Sequence, residues 1–156
     1  MMTIEIGAAL PDVELASAEG ATIRLRDYVG QPLVVYFYPK DDTSGCTREA
    51  QDFSALSDDF RAIGCAVLGV SRDGPAKHRK FIAKYDLTVT LASDESGTAS
   101  EAFGVWVEKQ LYGRKYMGIE RSTWLFDAAG VLQRSWPRVR VAGHAAEVLE
   151  AVRALR

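Results

Sequence analysis

Residues 33–51 read LVVYFYPKDDTSGCTREAQ and join an apolar run to a helix through a polar, turn-forming segment. The first six residues are apolar or aromatic without alternation, which is typical of a central strand covered on both faces. Pro39 ends that strand, because proline has no amide hydrogen to give to a sheet. Cys46 follows where a helix is expected to begin. The sequence on either side of this strand-to-helix junction predicts the neighbouring helices and strands.

A helix is expected to follow the junction. Apolar residues recur at steps of three and four, which predicts one amphipathic helix over residues 45–63 with Cys46 in its first turn. They are Ala50, Phe53, Leu56, Phe60 and Ile63. Gly64 then breaks the helix, residues 65–70 read as a second buried strand, and Pro75 suits the first turn of a helix over residues 75–85.

The flanking sequence completes an α/β pattern. Two β-hairpins and two helices are predicted outside the central strand and helix units. The hairpins pair residues 13–15 with 22–25 and residues 122–126 with 131–134, and the helices cover residues 100–103 and 145–155. The order favours a mixed sheet flanked by helices, with an N-terminal β-hairpin, which is the thioredoxin-like arrangement.

The composition limits the classes of function. The chain has 156 residues, 47% of them hydrophobic and 26% charged, which suits one domain over residues 1–156 with a substantial core. The formal charge of -2 argues against nucleic-acid binding. The longest apolar run is too short to span a bilayer, and the first residues do not read as a secretory signal. With two cysteines and no disulfide framework, we expect a cytoplasmic protein.

Cys46 is expected to be reactive. A thiol is a good nucleophile near neutral pH only as a thiolate, and the free N–H groups and dipole of a helix N-terminus favour the anion. Arg48 and Arg121 are the cations available to assist. An inert, buried cysteine is the competing interpretation, but the polar segment 40–45 is unlike the surroundings of a core thiol.

Two other kinds of cysteine site fit the sequence poorly. His78 and His144 are far apart along the chain, and no cysteine pair has the spacing of metal ligands, so we expect no metal. A dithiol oxidoreductase uses Cys-x-x-Cys, whereas residues 46–49 read CTRE.

Five sequence blocks together carry a family resemblance. The first is the pattern Pro39-x-x-x-Thr43-x-x-Cys46. The others are residues 69–73 (GVSRD), 103–106 (FGVW), 112–118 (YGRKYMG) and 121–123 (RST). In this order, over roughly residues 7–155, they resemble the peroxiredoxins, and most closely the bacterioferritin comigratory protein or peroxiredoxin Q group.

The resemblance implies a thiol peroxidase with no cofactor. Cys46 would attack hydrogen peroxide or an organic hydroperoxide and become a sulfenic acid. Arg121, Thr43 and the backbone N–H groups around Gly45 and Cys46 would stabilise the charge that moves from sulfur to oxygen. Pro39 would cover the thiolate and restrict water. A redox-sensing or holdase module with little peroxidase turnover is the alternative function.

Several neighbours of Cys46 have open roles. Glu49, one helical turn after Cys46, either orients Arg121 or is a solvated helix carboxylate. An aromatic set either walls the pocket or, as we favour, packs in the core and at the rim. Its members are Trp106, Tyr112, Tyr116 and Trp124.

The chain departs from the family at the resolving cysteine. In familiar members that cysteine lies five positions after the nucleophile, where this chain has Gln51; in others it lies in the following helix, near Ile82. Cys65 is the only other thiol, and we expect it to be buried and inert. The sequence therefore predicts a one-cysteine mechanism with an external thiol, namely glutathione, a glutaredoxin or a thioredoxin.

Two further departures concern the surroundings of the nucleophile. Ser44 replaces the usual proline and is expected to loosen the loop before Cys46, while Trp124 replaces the usual phenylalanine and is expected to crowd the pocket beside Arg121. Neither replacement removes a reacting group. The resemblance also favours a monomer.

Overall fold

A seven-stranded mixed sheet organises residues 4–155, the part of the chain that the computed structural model describes. The strands are β1 Glu14–Ser17, β2 Thr22–Arg24, β3 Leu33–Phe37, β4 Ala66–Ser71, β5 Thr90–Ser93, β6 Trp106–Leu111, β7 Arg114–Ile119, β8 Ser122–Phe126 and β9 Leu132–Trp136. The helices are α1 Ser44–Ala55, α2 Ser57–Ala62, α3 Pro75–Tyr85, α4 Thr98–Ala102 and α5 His144–Arg153, with a short 3-10 helix at Leu25–Tyr28. None of the helices between residues 4 and 155 is long and apolar enough to cross a membrane.

The sheet has the strand order β2-β1-β5-β4-β3-β8-β9. β3 runs parallel to β4, and β4 runs parallel to β5, whereas β8 pairs antiparallel with both β3 and β9. β1 and β2 form the N-terminal hairpin. The predicted thioredoxin-like α/β fold, with its mixed sheet and N-terminal hairpin, is confirmed. β3 is central, as its unbroken apolar sequence indicated.

The core lies on both faces of the sheet because side chains alternate along β3. Val35 and Phe37 point to one face, which α4 and the N-terminal segment help to cover. Val34 and Tyr36 point to the other, against α1, α2, α3 and α5. All five residues of β3 are buried. This two-sided burial holds the end of β3 rigidly, and the loop that carries the candidate nucleophile begins there.

The single helix predicted over residues 45–63 is wrong, because two helices meet at Leu56. The backbone of Leu56 leaves helical geometry, with φ -99 and ψ 7. The break allows side chains on either side of it to bond the segment before β5. Ser54 Oγ accepts the backbone N–H of Thr88 at 3.0 Å, and Ser57 Oγ lies 2.8 Å from the Thr88 hydroxyl. Apolar spacing alone does not record these polar contacts.

Strand β5 and the β6–β7 hairpin were not predicted from the sequence. The hairpin forms a separate two-stranded sheet. Its turn places Tyr112 at φ 51 and Gly113 at φ 77, the left-handed geometry that tight two-residue hairpin turns require. Most of its side chains are exposed, so it lacks the clear apolar alternation that reveals a half-buried strand.

Gly69 on β4 leaves space for a buried ring. A Cβ at this position would lie 2.5 Å from Cζ of Tyr36 and 2.9 Å from Cδ2 of Leu91. The Tyr36 ring cannot move aside easily, because it is stacked on Phe53 at a centroid distance of 4.6 Å. Gly69→Ala is therefore expected to lower the free energy of unfolding by about 1–3 kcal/mol, since overpacking a core forces side chains off their rotamers. Urea denaturation measures this. Gly113→Ala is unsuitable as a control because of its positive φ, whereas Ala151→Gly, in α5, gives the ordinary effect of about 1 kcal/mol for comparison.

Candidate active site

A six-residue loop over residues 38–43 connects β3 to α1. Thr43 precedes the helix in an extended conformation, and its carbonyl oxygen accepts the backbone N–H of Thr47 at 2.8 Å. The Thr43 hydroxyl donates to the carbonyl oxygen of Lys40 at 2.9 Å, so it ties the loop together rather than capping the helix. Helix α1 begins at Ser44, which places Cys46 in the first turn. N–H groups without an intrahelical partner surround a residue in this position.

Cys46 is buried, with 2% of its surface exposed. Its side chain belongs to the core on the helical side of the sheet, with Ala50 and Phe53 from the same helix. The guanidinium Nη2 of Arg121 donates to Cys46 Sγ at 3.2 Å. The sulfur therefore has a permanent cation directly beside it, which stabilises a thiolate.

Arg121 reaches Cys46 because β8 is the neighbour of β3. The register pairs Phe37, at the end of β3, with Ser122, at the start of β8. Arg121 immediately precedes β8 and so lies at the same end of the sheet as the loop. Its side chain is 18% exposed. Arg48, the other predicted candidate cation, instead points outward, and its Nε lies 4.0 Å from Asp52.

Glu49 holds the other arm of the guanidinium. Arg121 Nη1 donates to Glu49 Oε1 at 2.7 Å. Glu49 is 1% exposed, so the interpretation of a solvated helix carboxylate is wrong. Burial raises the pKa of Glu49 to about 7, although the charge and hydrogen bond of Arg121 oppose the change. Burial lowers the pKa of Arg121, but the charges of Glu49 and Cys46 and its hydrogen bonds to them outweigh this and raise the pKa overall.

Gly45 lies against this group, whereas Pro39 lies at the surface. A Cβ at Gly45 would lie 3.1 Å from Arg121 Nη2, so the absence of a side chain leaves room for the guanidinium. Pro39 and Thr43 are exposed, which places them at the outer edge of the loop. Of the predicted residues, the structure thus brings Arg121 into direct contact with both Cys46 and Glu49.

Lys109 was missed by the sequence predictions. It lies on β6 opposite Tyr116, and its chain passes Gly118 so closely that a Cβ there would be 3.2 Å from Lys109 Cδ. Burial lowers the pKa of Lys109, and the nearby charge of Arg121 lowers it further, while Cys46 acts in the opposite direction. The β6–β7 hairpin therefore brings a second positive charge toward the site. If Gly113 had been recognised as part of a hairpin turn, the sequence would have predicted β6, the strand that carries Lys109.

The aromatic set does not form a single wall. Trp124 is 3% exposed and packs edge-on against Phe103, on the sheet face opposite Cys46. The expectation that Trp124 crowds the pocket is therefore wrong, because alternation along β8 directs it into the other half of the core. Trp106 lies under the guanidinium of Arg72 at 4.0 Å, and Tyr112 is 95% exposed at the hairpin turn.

Cys65 is separated from this chemistry by its surroundings. It is buried just before β4, and its thiol donates to the carbonyl oxygen of Ala66 at 3.4 Å. Burial raises the pKa of Cys65 to about 12, which keeps it a neutral thiol at physiological pH. Within residues 4–155, no group of three or more histidine, cysteine or acidic side chains is placed to hold a metal ion.

Comparison with known proteins places this geometry in a family. Residues 6–135 match the AhpC/TSA family. The chain is 46% identical over 152 residues to peroxiredoxin Bcp of Bacillus subtilis, with 97% of each chain covered. The bacterioferritin comigratory protein of Xanthomonas campestris, whose structures concern alkyl peroxide reduction activity, is 44% identical, with a TM-score of 0.89 over 97% of this chain and 96% of that one. A mutant PrxQ of Xylella fastidiosa gives a TM-score of 0.93 at 39% identity and covers 99% and 98% of the two chains. The chain therefore belongs to the AhpC/TSA family, as a peroxiredoxin of the Bcp or PrxQ type.

Proposed function

We propose that this peroxiredoxin reduces hydrogen peroxide and organic hydroperoxides at Cys46 and that an external thiol completes its cycle. The observation that carries the proposal is the contact between Cys46 Sγ, in the first turn of α1, and Nη2 of Arg121. The Cys46 thiolate attacks the terminal oxygen of the hydroperoxide, the O–O bond breaks, and the departing oxygen takes up a proton. The products are a Cys46 sulfenic acid and water or an alcohol.

Each neighbour has a part in this step. Arg121 stabilises the thiolate before attack and the negative charge that grows on the departing oxygen during it, since its fork carries several fixed donors. The free N–H groups near Gly45 supply further donors at the mouth of the loop. The Thr43 hydroxyl donates to the carbonyl oxygen of Lys40, so its oxygen is left to accept a hydrogen bond from the hydroperoxide O–H. Pro39 limits the access of water by its shape. Glu49 positions Arg121 through the 2.7 Å hydrogen bond.

The test of the peroxidase is hydrogen peroxide consumption with dithiothreitol as the reductant. Cys46→Ser is expected to abolish turnover, because a hydroxyl is far less nucleophilic than a thiolate. Cys65→Ser is the matched control and is expected to retain the activity of the wild-type protein. Equal rates for the wild-type protein and Cys46→Ser would contradict the proposal. Consumption of only one peroxide per chain would support the redox-sensing or holdase alternative instead.

A one-cysteine cycle agrees with the environment of the second thiol. The sulfenic acid condenses with an external thiol to give a mixed disulfide and water, and a second thiol then releases the Cys46 thiolate and an external disulfide. Position 51 is glutamine, which cannot form a disulfide. Cys65 is a buried neutral thiol. Glutathione, a glutaredoxin or a thioredoxin is the proposed reductant, in the reducing environment of the cytoplasm, with the chain acting as a single-domain monomer.

Mass spectrometry after one equivalent of peroxide tests the one-cysteine mechanism. Trapping with dimedone is expected to add one label at Cys46 and to leave Cys65 unmodified, because no second thiol is available to consume the sulfenic acid. Loss of two hydrogens, with a peptide linking Cys46 to Cys65, would disprove the one-cysteine mechanism and leave the peroxidase proposal intact.

A further inference from the structure

A buried polar cluster lies at the start of the active-site loop. Tyr38, Asp41 and His78 are 1%, 3% and 0% exposed. The Tyr38 hydroxyl donates to Asp41 Oδ1 at 2.6 Å, and His78 Nδ1 lies 2.6 Å from Asp41 Oδ2. His78 Nε2 lies 3.0 Å from the carbonyl oxygen of Ala92 on β5. Both carboxylate oxygens and both ring nitrogens thus have partners.

The hydrogen bonds of His78 determine how many protons the cluster holds. A carbonyl oxygen only accepts, so Nε2 of His78 carries a hydrogen and donates it to Ala92. The 2.6 Å contact on the other side of the ring also contains a proton, held by His78 Nδ1 or by Asp41 Oδ2. In both arrangements the pair has no net charge. A short, buried hydrogen bond between such partners is strong and fixes their relative orientation.

The backbone of Asp41 is held as well as its side chain. Its N–H donates to Asp73 Oδ2 at 2.8 Å, just after the end of β4. Asp73 is itself fixed by Lys77 of α3, whose Nζ donates to Asp73 Oδ1 at 3.0 Å. Asp41 is therefore bonded directly to α3 and to the segment after β4, and through His78 to β5.

The next residue adds a surface attachment. Asp42 has a left-handed backbone, with φ 57. Its carboxylate accepts hydrogen bonds from Lys84 Nζ at 2.7 Å and from the Tyr85 hydroxyl, both at the C-terminal end of α3. The chain thus turns sharply between two anchored carboxylates before it reaches Thr43.

We propose that Asp41 and His78 are positioning residues for the peroxidase reaction, which hold the loop so that α1 presents Cys46 to Arg121. Asp41 lies two residues before Thr43 and five before Cys46. A buried polar pair is seldom more stabilising than apolar residues of the same volume. A contribution to stability therefore does not explain why Asp41 and His78 occupy these positions. Directional bonds fix a loop in one conformation, which apolar contacts do not do. The inference rests on the proposed peroxidase function.

The test compares two substitutions of Asp41 in a single-turnover assay of Cys46 oxidation by hydrogen peroxide. Asp41→Ala removes the bonds to Tyr38 and His78 and is expected to slow oxidation by about 10²-fold, since displacing a reacting group by about 1 Å has an effect of that size. Asp41→Asn can accept from Tyr38 and donate to a neutral His78. It is therefore expected to restore the rate to within about threefold of the wild-type value.

Two controls separate positioning from stability. Asp58→Asn removes a carboxylate that is 94% exposed on α2 and is expected to leave the rate unchanged. If Asp41→Ala does not fold, His78→Phe replaces it, because phenylalanine fills the imidazole volume without donating a hydrogen bond. A folded variant that lacks the pair but is oxidised at the wild-type rate would overturn the inference, even if its unfolding midpoint were lower.

The same experiment distinguishes this inference from the proposed function. Failure of the wild-type protein to be oxidised would refute the peroxidase proposal. If the wild-type protein is active and Asp41→Ala is oxidised at the same rate, only the positioning role is refuted. The rate of Cys46 alkylation by iodoacetamide provides a readout without peroxide. Alkylation requires the thiolate. It is therefore expected to be slower in Asp41→Ala than in Asp41→Asn, as oxidation is.

Discussion

Replacing Arg121 by alanine is expected to slow the oxidation of Cys46 by hydrogen peroxide by about 10²–10³-fold, the range seen when a fixed donor to a developing anion is removed. Arg121 is the residue whose side chain contacts both the sulfur and the buried carboxylate of Glu49. Its loss removes the cation that stabilises the thiolate and the donor available to the departing oxygen. Stopped-flow fluorescence or competition with a peroxide-consuming enzyme measures the second-order rate constant.

Two variants make this prediction specific. Arg121→Lys keeps the charge but cannot hold Glu49 and Cys46 with one rigid fork, so it is expected to recover less than a tenth of the lost rate. Arg48→Ala removes a cation from the same helix as Cys46, but its side chain is 63% exposed and directed toward Asp52. We expect less than a twofold change for Arg48→Ala. A rate for Arg121→Ala within twofold of the wild-type value would remove Arg121 from the site.

Glu49→Gln is expected to make the protein more stable and less active at pH 8. In the wild-type protein the ionised carboxylate accepts a charge-assisted hydrogen bond from Arg121, whereas the amide of glutamine offers only a neutral acceptor. This difference is about 1 kcal/mol, so the rate of Cys46 oxidation at pH 8 is expected to fall about fivefold. At pH 6, where a pKa of about 7 leaves Glu49 mostly protonated, the two rates are expected to approach each other.

The stability change follows from proton uptake. The pKa of Glu49 is about 7 in the folded protein and 4.5 as an ordinary glutamate, so the folded state binds more protons between these values. The free energy of unfolding therefore falls as pH rises from 4.5 to about 7, by about 3 kcal/mol in total. Glu49→Gln has no proton to lose, so it is expected to match the wild-type protein at pH 4 and exceed its stability by about 3 kcal/mol at pH 8.

Urea denaturation at several pH values tests this, because other titrating groups are common to both proteins and cancel in the difference. Glu150→Gln on α5 is the control: its carboxylate is 69% exposed and pairs with Arg153 at the surface. Its effect on stability is expected to stay within about 0.5 kcal/mol at every pH. A stability difference for Glu49→Gln that does not change with pH would contradict the assignment of Glu49 as a buried, partly neutralised carboxylate.

Local sequence predicted the elements whose signals are strong and short in range. The run over residues 33–38 predicted a buried strand, Pro75 marked the first residue of α3, and the polar residues before Cys46 indicated a loop, although Cys46 itself is buried in the core. In each case neighbours along the chain determine the conformation: apolar side chains without alternation, or a ring that fixes φ.

The features that could not be predicted from local sequence depend on contacts between residues that are distant along the chain. Helix α1 ends just before Leu56, and Ser54 and Ser57 on either side of the break bond Thr88, over 30 residues later. Glu49 could be predicted to face Arg121 only as one of two alternatives, since its burial is set by packing against the sheet. The pairing of Asp41 with His78 joins a loop to a helix 37 residues further on, and neither residue carries a local signal for it.

The antiparallel pairing of β3 with β8 has a consequence for how the protein is made. Cys46 and Arg121 are 75 residues apart, so a growing chain exposes the cysteine well before the arginine has been synthesised. Until β8 docks beside β3, Cys46 lacks the contact with Arg121. In the proposed mechanism, the peroxidase site is therefore completed only when β8 joins the sheet, after most of the chain has been synthesised.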